Sequence, residues 1–226
     1  MVGLVLGSLR LPVLVLASGN AAAAAGTNIA VSAATALTGA VTHARAGRID
    51  WRVAAWMTPP SVAAAFLGGY LSGLVAEEIL LAAIAAVLAW SGVDLLLELR
   101  TPRPVARPHA AAALAGAFIG FLGGAVGLIL GTLRLPALLG SIGLSAHRAV
   151  GTNLVVGFFL GASGFLGHLA RLEVEWVLLG ISLGGALPGA WLGARLTGRL
   201  SEVALRRAIG GTLLVAAGAI GLSTIS

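Results

Sequence analysis

Leu133-Arg134-Leu135-Pro136, with Gly151-Thr152-Asn153 close behind it, already stands near the start of the chain as Leu9-Arg10-Leu11-Pro12 and Gly26-Thr27-Asn28. The tetrapeptides lie 124 residues apart and the tripeptides 125, so the second copy carries one extra residue between them. Working outward, the shorter spacing also joins Gly3 with Gly127 and Gly7 with Gly131. The longer one joins Gly39 with Gly164, His43 with His168, Trp51 with Trp176, Gly68 with Gly193, Gly73 with Gly198 and Glu77 with Glu202. With 4 His and 5 Trp in the chain, pairing of both types at one offset is not chance. The pattern reads as a duplication: a first repeat over 1–99, a linker over 100–109 stiffened by Pro102, Pro104 and Pro108, and a second repeat over 110–226. The first repeat is N-terminally short, because nothing in it corresponds to 110–124.

The repeated polar residues sit in apolar surroundings. Hydrophobic residues make up 58% of the chain and charged ones 10%, where soluble domains carry about 25% charged residues. An all-α, polytopic membrane protein is expected. At about 20 apolar residues per helical crossing, the spans are 21–41, 51–74, 79–99, 110–130, 149–169, 176–196 and 203–225. The two Arg-Leu-Pro segments add broken or re-entrant helices, for about seven or eight transmembrane segments in all. A cleaved leader over 1–17 is not expected, because Arg10 and Pro12 interrupt its apolar run and the same segment recurs internally at 127–143.

Composition also excludes chemistries. All 14 basic residues are Arg, which removes lysine Schiff bases and a Walker lysine, and the lack of Cys removes disulfides, thiolate nucleophiles and sulfur-ligated metals. No spacing resembles a metal site such as His-Glu-x-x-His, so neither metal nor cofactor is expected. The net charge of +6 resides in short loops between apolar runs, and nucleic acid is not an expected partner. A dinucleotide reading of the glycines between Gly120 and Gly131 fails, since no strand pattern precedes them and no acidic residue follows at the required distance. The four-residue spacings Gly120/Gly124, Gly127/Gly131, Gly157/Gly161 and Gly185/Gly189/Gly193 read instead as ridges for close helix packing.

Loop charge bears on how the repeats are oriented, because cytoplasmic loops carry the excess of arginine. If each Arg-Leu-Pro segment completes a crossing, the repeats run parallel and the loop arginines divide between both faces. If the segments re-enter, the repeats are inverted, and Arg45, Arg48, Arg52, Arg100, Arg103, Arg107, Arg148, Arg195, Arg199, Arg206 and Arg207 share one face, opposite Arg171. Inversion is favoured, because 110–145 is long for one crossing and short for two.

Arg10 and Arg134 are the leading candidates for a substrate site. An arginine near the bilayer centre costs about 2.5 to 3.5 kcal/mol on insertion scales, so it needs a partner or a wet cavity. Its planar fork suits oxyanions. A helix broken at the following proline would add N-terminal amides that favour negative charge. Snorkelling to the interface is the competing explanation for each arginine. Thr27, Asn28, Thr152 and Asn153 supply neutral hydrogen-bonding groups. Facing each other across a pseudo-twofold axis, the two motifs would hold a small anion, although interhelical bonding by Thr and Asn is the alternative.

His43 and His168 follow about 24 Å further along the same helices, near the opposite membrane face. Interface anchoring is their first reading, and gating or proton handling the second. Trp51 and Trp176 open the next helices and suit an interfacial aromatic belt. Asp94 is read as a charge near a helix end beside Glu98 and Arg100, and Glu77 and Glu202 as carboxylates at the starts of their helices. An enzyme is not expected: Gly161-Ala162-Ser163-Gly164 is similar to the Gly-x-Ser-Gly of intramembrane serine proteases, but His168 is poorly placed on the same helix to act as its base.

The chain resembles the TauE/SafE family of sulfite and organosulfonate exporters. The resemblance rests on Gly123-Gly124-Ala125-Val126-Gly127, Leu135-Pro136-Ala137-Leu138, Ala149-Val150-Gly151-Thr152-Asn153, Gly164, His168, Trp176, Pro188-Gly189 and Gly193-Ala194-Arg195-Leu196. Pro12, Ala25-Gly26-Thr27, His43, Trp51 and Gly68 repeat it in the first half. Two departures are Gly-Thr-Asn where the family usually has Gly-Thr-Ser, and Ser8-Leu9-Arg10 and Thr132-Leu133-Arg134 where it usually has a glycine run. The resemblance implies a multi-pass permease of the cytoplasmic membrane for small sulfur-containing or organic anions, driven by an ion gradient of protons or sodium. An anion channel and a non-transporting membrane scaffold are the alternatives.

Overall fold

The computed structural model describes residues 10, 13–70, 77–97, 106, 108–126 and 131–223, without the side chains of 21–22, 68–70, 77–84, 87, 123–126 and 219–223. Leu9, Leu11 and Pro12, the linker apart from Ala106, Pro108 and His109, and the ends of several expected spans lie outside the described residues, as do Glu98, Arg100 and the side chain of Glu77. The described residues form helices joined by short loops, with no strand among them: α1 (Ala21–Arg45), α2 (Trp51–Tyr70), α3 (Glu77–Leu97), α4 (Pro108–Val126), α5 (Gly131–Pro136), a π-helical turn (Ala137–Ser141), α6 (Ala146–Ala170), α7 (Trp176–Thr197) and α8 (Glu202–Ser223). Among the described residues, three helices are long and apolar enough to cross a membrane by themselves, over Ala23–Arg45, Ala146–Ala170 and Trp176–Thr197, and shorter apolar stretches lie at Leu88–Leu97 and Pro108–Leu122.

The centre of the molecule is the pair α1 and α6, whose contacts run in opposite directions along the two helices. Gly26 lies against His168, Ile29 against Gly164, Ala33 against Gly161, Gly39 against Leu154 and His43 against Gly151. As the number rises on α1 it falls on α6, so the helices are antiparallel. Small residues make the approach close: a Cβ on Gly26 would collide with the Glu173 carbonyl oxygen, and one on Gly151 with that of Arg48. Helix α2 packs in parallel against α4, with Met57 and Ser61 on Gly116 and Gly120 and the Trp56 ring stacked 6.1 Å from that of His109. Helices α3 and α8 meet at Gly92 and Gly210. Helix α7 leans on α1 through Val31, Val174 and Leu179.

Side-chain caps start α1, α2 and α8. Asn20 accepts the N–H of Ala23, Asp50 that of Val53, and Ser201 that of Ala204. Glu202, expected to serve its own helix, instead accepts the Ala146 N–H of α6 at 2.6 Å, while also bonding His147 and Arg206. Its carboxylate therefore ties two helix starts together.

The segment after Arg134 departs from expectation. A break was expected at Leu135-Pro136, but the chain stays helical through Pro136 (φ −57, ψ −41) into the π turn. Proline lacks the N–H for the next α-helical bond, and the widened turn re-forms the ladder with Ile142 N donating to Ala137 O at 3.0 Å. No free helix start arises there. The run ends at Gly143, φ +75, with Gly19 at φ +65 in the corresponding place 124 residues earlier. From Gly131 to Ser141 the helix is at most about 16 Å long, roughly half a hydrocarbon core.

Further expectations met mixed outcomes. Gly116, Gly120 and Gly161 lie in close helix contacts, whereas Cβ atoms on Gly185, Gly189 and Gly193 would meet nothing, and α7 is the most exposed of the long apolar helices. That ridge is a bare surface among the described residues. Asp94 stands in the last turn of α3, three residues before Leu97, with its Oδ1 buried and without a hydrogen-bond partner among the described residues, and Glu98 and Arg100 lie outside them.

The turns after α1 and α6 match. Arg48 N donates to His43 O at 2.9 Å, and Glu173 N to His168 O at 3.0 Å. Both turns need a left-handed residue, Gly47 at φ +66 in one and Leu172 at φ +57 in the other. Leu172 is 89% exposed, so no packing compensates. Left-handed backbone costs a residue with a Cβ about 1–2 kcal/mol, while glycine loses about 0.5–1 kcal/mol of unfolded-chain entropy. Leu172→Gly is expected to stabilise the protein by about 0.5–1 kcal/mol, read as a higher Tm in detergent, and Gly47→Leu to lower it; a Tm that moves the other way for either variant contradicts this account.

Candidate functional site

Each arginine of the repeated tetrapeptide reaches the asparagine of the tripeptide that follows it. Arg10 Nε donates to Asn28 Oδ1 at 2.8 Å, and Arg134 Nε to Asn153 Oδ1 at 2.7 Å. The pairs are alike in this bond and differ beyond it. Arg10 is half-buried, and its Nη2 also donates to Asn28 O at 3.1 Å and Ser32 Oγ at 2.9 Å. Arg134 is 1% exposed, and its Nη2 is buried with no hydrogen-bond partner among the described residues. Its chain neighbours Leu133 and Leu135, and Leu138 one turn on, belong to the main apolar core. Neither arginine snorkels to an exposed position. A buried cation held by one neutral amide leaves donor capacity for something that accepts.

The two tripeptides do not face each other. Gly164, opposite Ile29, is eleven residues from Asn153, about 16 Å along α6, so the motifs occupy opposite ends of the antiparallel pair. The arginines reach inward from those ends. Arg10 bonds Ser32, next to Ala33, which lies against Gly161, while Arg134 Nη2 lies beside Gly157, one turn or about 6 Å further along. Both guanidinium groups are thus bonded or packed at positions nearer the middle of the helix pair than the tripeptides are.

The threonines have another task. Thr27 Oγ1 accepts the N–H of Glu175 at 2.9 Å and donates to Ala23 O at 2.8 Å, and Thr152 Oγ1 accepts the N–H of Asp50 at 3.0 Å. Glu175 and Asp50 are the residues just before α7 and α2, so each hydroxyl holds the start of a helix from the other half of the chain. Each bond contributes about 1 kcal/mol. Their partner is a main-chain amide, which leaves no mark on the sequence.

His43 and His168 lie at the far ends of α1 and α6, as expected, but each packs against the Gly-Thr-Asn start of the opposite helix. His168 Nδ1 is 2.8 Å from Glu173 Oε2. His43 is buried with neither ring nitrogen bonded among the described residues, and where Glu173 stands beside His168, the first half has Arg48, which donates to Gly198 O. Ser163 is exposed, and its neighbours Gly161 and Gly164 serve the contact with α1. No group of three or more His, Cys, Asp or Glu that could hold a metal occurs among the described residues.

The comparisons with known proteins agree with an apolar helical membrane protein. The family model described as sulfite exporter TauE/SafE matches residues 1–220, and the chain belongs to that family. It is 28% identical over 193 residues to the probable membrane transporter protein YdhB of Bacillus subtilis (strain 168), covering 82% of this chain and 79% of that protein. It is 25% identical over 224 residues to the probable membrane transporter protein YjnA of the same organism, covering 92% and 88%. A probable membrane transporter protein of Xylella fastidiosa (strain 9a5c) is 28% identical over 189 residues, covering 79% of this chain and 70% of that protein. No solved structure matches. The chain is a membrane transporter, from a family of transporters rather than of enzymes.

Proposed function

We propose that this transporter is a multi-pass permease of the cytoplasmic membrane for small anions such as sulfite, organosulfonates or related sulfur compounds. The observation that carries the reading is Arg134, a buried cation with Asn153 on one nitrogen and, among the described residues, nothing on Nη2. Such a group is costly to bury unless an acceptor completes it, and an oxyanion supplies both acceptor and charge. Sequestration of Arg134 favours a carrier over an open channel.

Two inverted copies of one helical unit, 1–99 and 110–226 joined by 100–109, form the carrier in this reading. The antiparallel register of α1 with α6 supports inversion, as do the hydrogen bonds that recur 125 residues apart between opposite halves. Arg48, Arg148 and Arg206 lie at one end of the α1 and α6 pair, with Arg171 at the other, so the arginine-rich end faces the cytoplasm. Rocking of one copy against the other exposes the anion alternately, and a gradient of protons or sodium sets the direction. Within this reading Arg134 and Asn153 bind the anion, Arg10 and Asn28 frame the opposite side, and Thr27 and Thr152 hold the helices. His43, buried and unbonded, is the candidate for gating or proton handling.

Proteoliposomes containing the purified protein test this with sulfite, methanesulfonate, thiosulfate and acetate. Saturable flux with counterflow is expected for at least one sulfur oxyanion. Flux that rises linearly without saturation would establish a channel, and no flux for any of the four would reject transport of this class.

A further inference from the structure

We propose that the two arginine pairs are functionally unequal: Arg134 binds the transported anion through the Nη2 left open opposite Gly157, whereas Arg10 is a structural brace whose Nη2 is spent on Ser32. The inference deepens the anion-permease reading and rests on it. Gly157 and Ser32 are equivalent positions, 125 residues apart. In the first half the serine hydroxyl sits 2.9 Å from Arg10 Nη2 and completes it. In the second half the side chain is deleted, and the place where its Cβ would stand is 3.4 Å from Arg134 Nη2. Arg10 Nη2 thus has Ser32 Oγ and the Asn28 carbonyl as acceptors, and Arg134 Nη2 has neither counterpart among the described residues. Arg134 is also the more deeply buried, at 1% exposure, where an unpaired donor is hardest to tolerate.

The space left by the missing side chain and the direction of the open nitrogen coincide. An acceptor placed over Gly157 would reach Nη2, and a small oxyanion has the required oxygen. Arg10 commits Nε and both N–H groups of Nη2, three of its five donors, to Asn28 and Ser32, against one of five for Arg134 among the described residues.

The test grafts each half's residue onto the other. Gly157→Ser places a hydroxyl on Arg134 Nη2 and is expected to lower flux of the best transported anion about tenfold or more, the worth of a charge-assisted hydrogen bond. Gly157→Ala adds the Cβ at ordinary contact distance without an acceptor and is expected to keep most of the flux. Ser32→Gly is expected to keep flux within about twofold while lowering Tm in detergent. A second readout is independent of flux: sulfite, methanesulfonate or thiosulfate should raise the Tm of the wild type and of Ser32→Gly, but not of Gly157→Ser.

Unchanged flux and unchanged ligand stabilisation in Gly157→Ser overturn the assignment, and so does equal loss in Gly157→Ala, which would mean bulk rather than bonding. Should Gly157→Ser not fold, Ser32→Gly decides: loss of flux or of ligand stabilisation there refutes the brace role of Arg10 and the inequality with it. Ligand stabilisation present in the wild type and lost in Gly157→Ser, but with no flux in either, supports the site and rejects the permease. Neither flux nor stabilisation in the wild type rejects both.

Discussion

Arg134→Gln is expected to lower anion flux about 10- to 100-fold while leaving the purified protein at least as stable as the wild type. The two effects have one origin. Insertion scales put the cost of arginine deep in a membrane helix at about 2.5–3.5 kcal/mol, and this guanidinium recovers part of it through a single bond to Asn153 Oδ1 at 2.7 Å. A neutral amide removes the charge, so the folded state loses a burden rather than a support. An anion, however, loses a charge-assisted bond worth about 1.5–3 kcal/mol, which is the stated factor in binding. A residue that only held helices together would behave in the opposite way, losing stability while the folded protein keeps most of its flux. Arg10→Gln should show that opposite pattern, because Arg10 joins Asn28 and Ser32 through three bonds. Flux in proteoliposomes and Tm in detergent, measured on both variants, separate the roles; full flux in Arg134→Gln removes Arg134 from the anion site.

The helical membrane character was legible in the sequence because apolar composition forces it. The pairing of Arg with Asn was foreshadowed by their common recurrence, since scarce residue types at one offset mark equivalent places. Its geometry was not legible: an offset states that two segments are alike and is silent on whether they run together or oppositely. The tally of loop arginines hinted at direction, and the contacts of Gly26 with His168 and Gly151 with His43 supply it. That direction parts the two Gly-Thr-Asn motifs, which had been expected to meet.

Thr27 and Thr152 were visible as polar residues in apolar helices, which is why a ligand role suggested itself. Their acceptor role toward the Glu175 and Asp50 amides was hidden, because every residue but proline carries such an amide. Pro136 misled for a related reason. A proline forbids one α-helical bond, but a π turn satisfies the backbone without breaking the run. The difference between Ser32 and Gly157 lay in plain sight, yet it acquires meaning once the arginine nitrogens are seen beside them.

Gly26→Val and Gly151→Val are expected to yield no monodisperse folded protein, whereas Gly185→Val and Gly189→Val keep Tm within a few degrees of the wild type. All four positions lie on long apolar helices; by sequence Gly185 and Gly189 carry the close-packing reading, while Gly26 and Gly151 appear as the first residues of the repeated tripeptide. Space separates them. A Cβ at Gly26 or Gly151 runs into the carbonyl oxygens of Glu173 or Arg48, which are main-chain atoms and cannot swing aside as a side chain can. Overpacking costs about 1–3 kcal/mol where neighbours can shift, and here the shift must also part α1 from α6. Parting them strains the adjacent bonds of Thr27 to Glu175 and Thr152 to Asp50, at about 1 kcal/mol each. Against a total stability of about 5–15 kcal/mol, that sum is a large fraction, and both ends of the central pair carry the same weakness. At Gly185 and Gly189 the added atoms meet nothing, and changes at such sites fall within about 0.5 kcal/mol. Size-exclusion profiles and thermal melts in detergent check the contrast. Intact folding of Gly151→Val would show that α1 and α6 are not held as closely as Gly151 and the Arg48 carbonyl require, and the antiparallel register on which the inverted reading rests would lose its tightest contact.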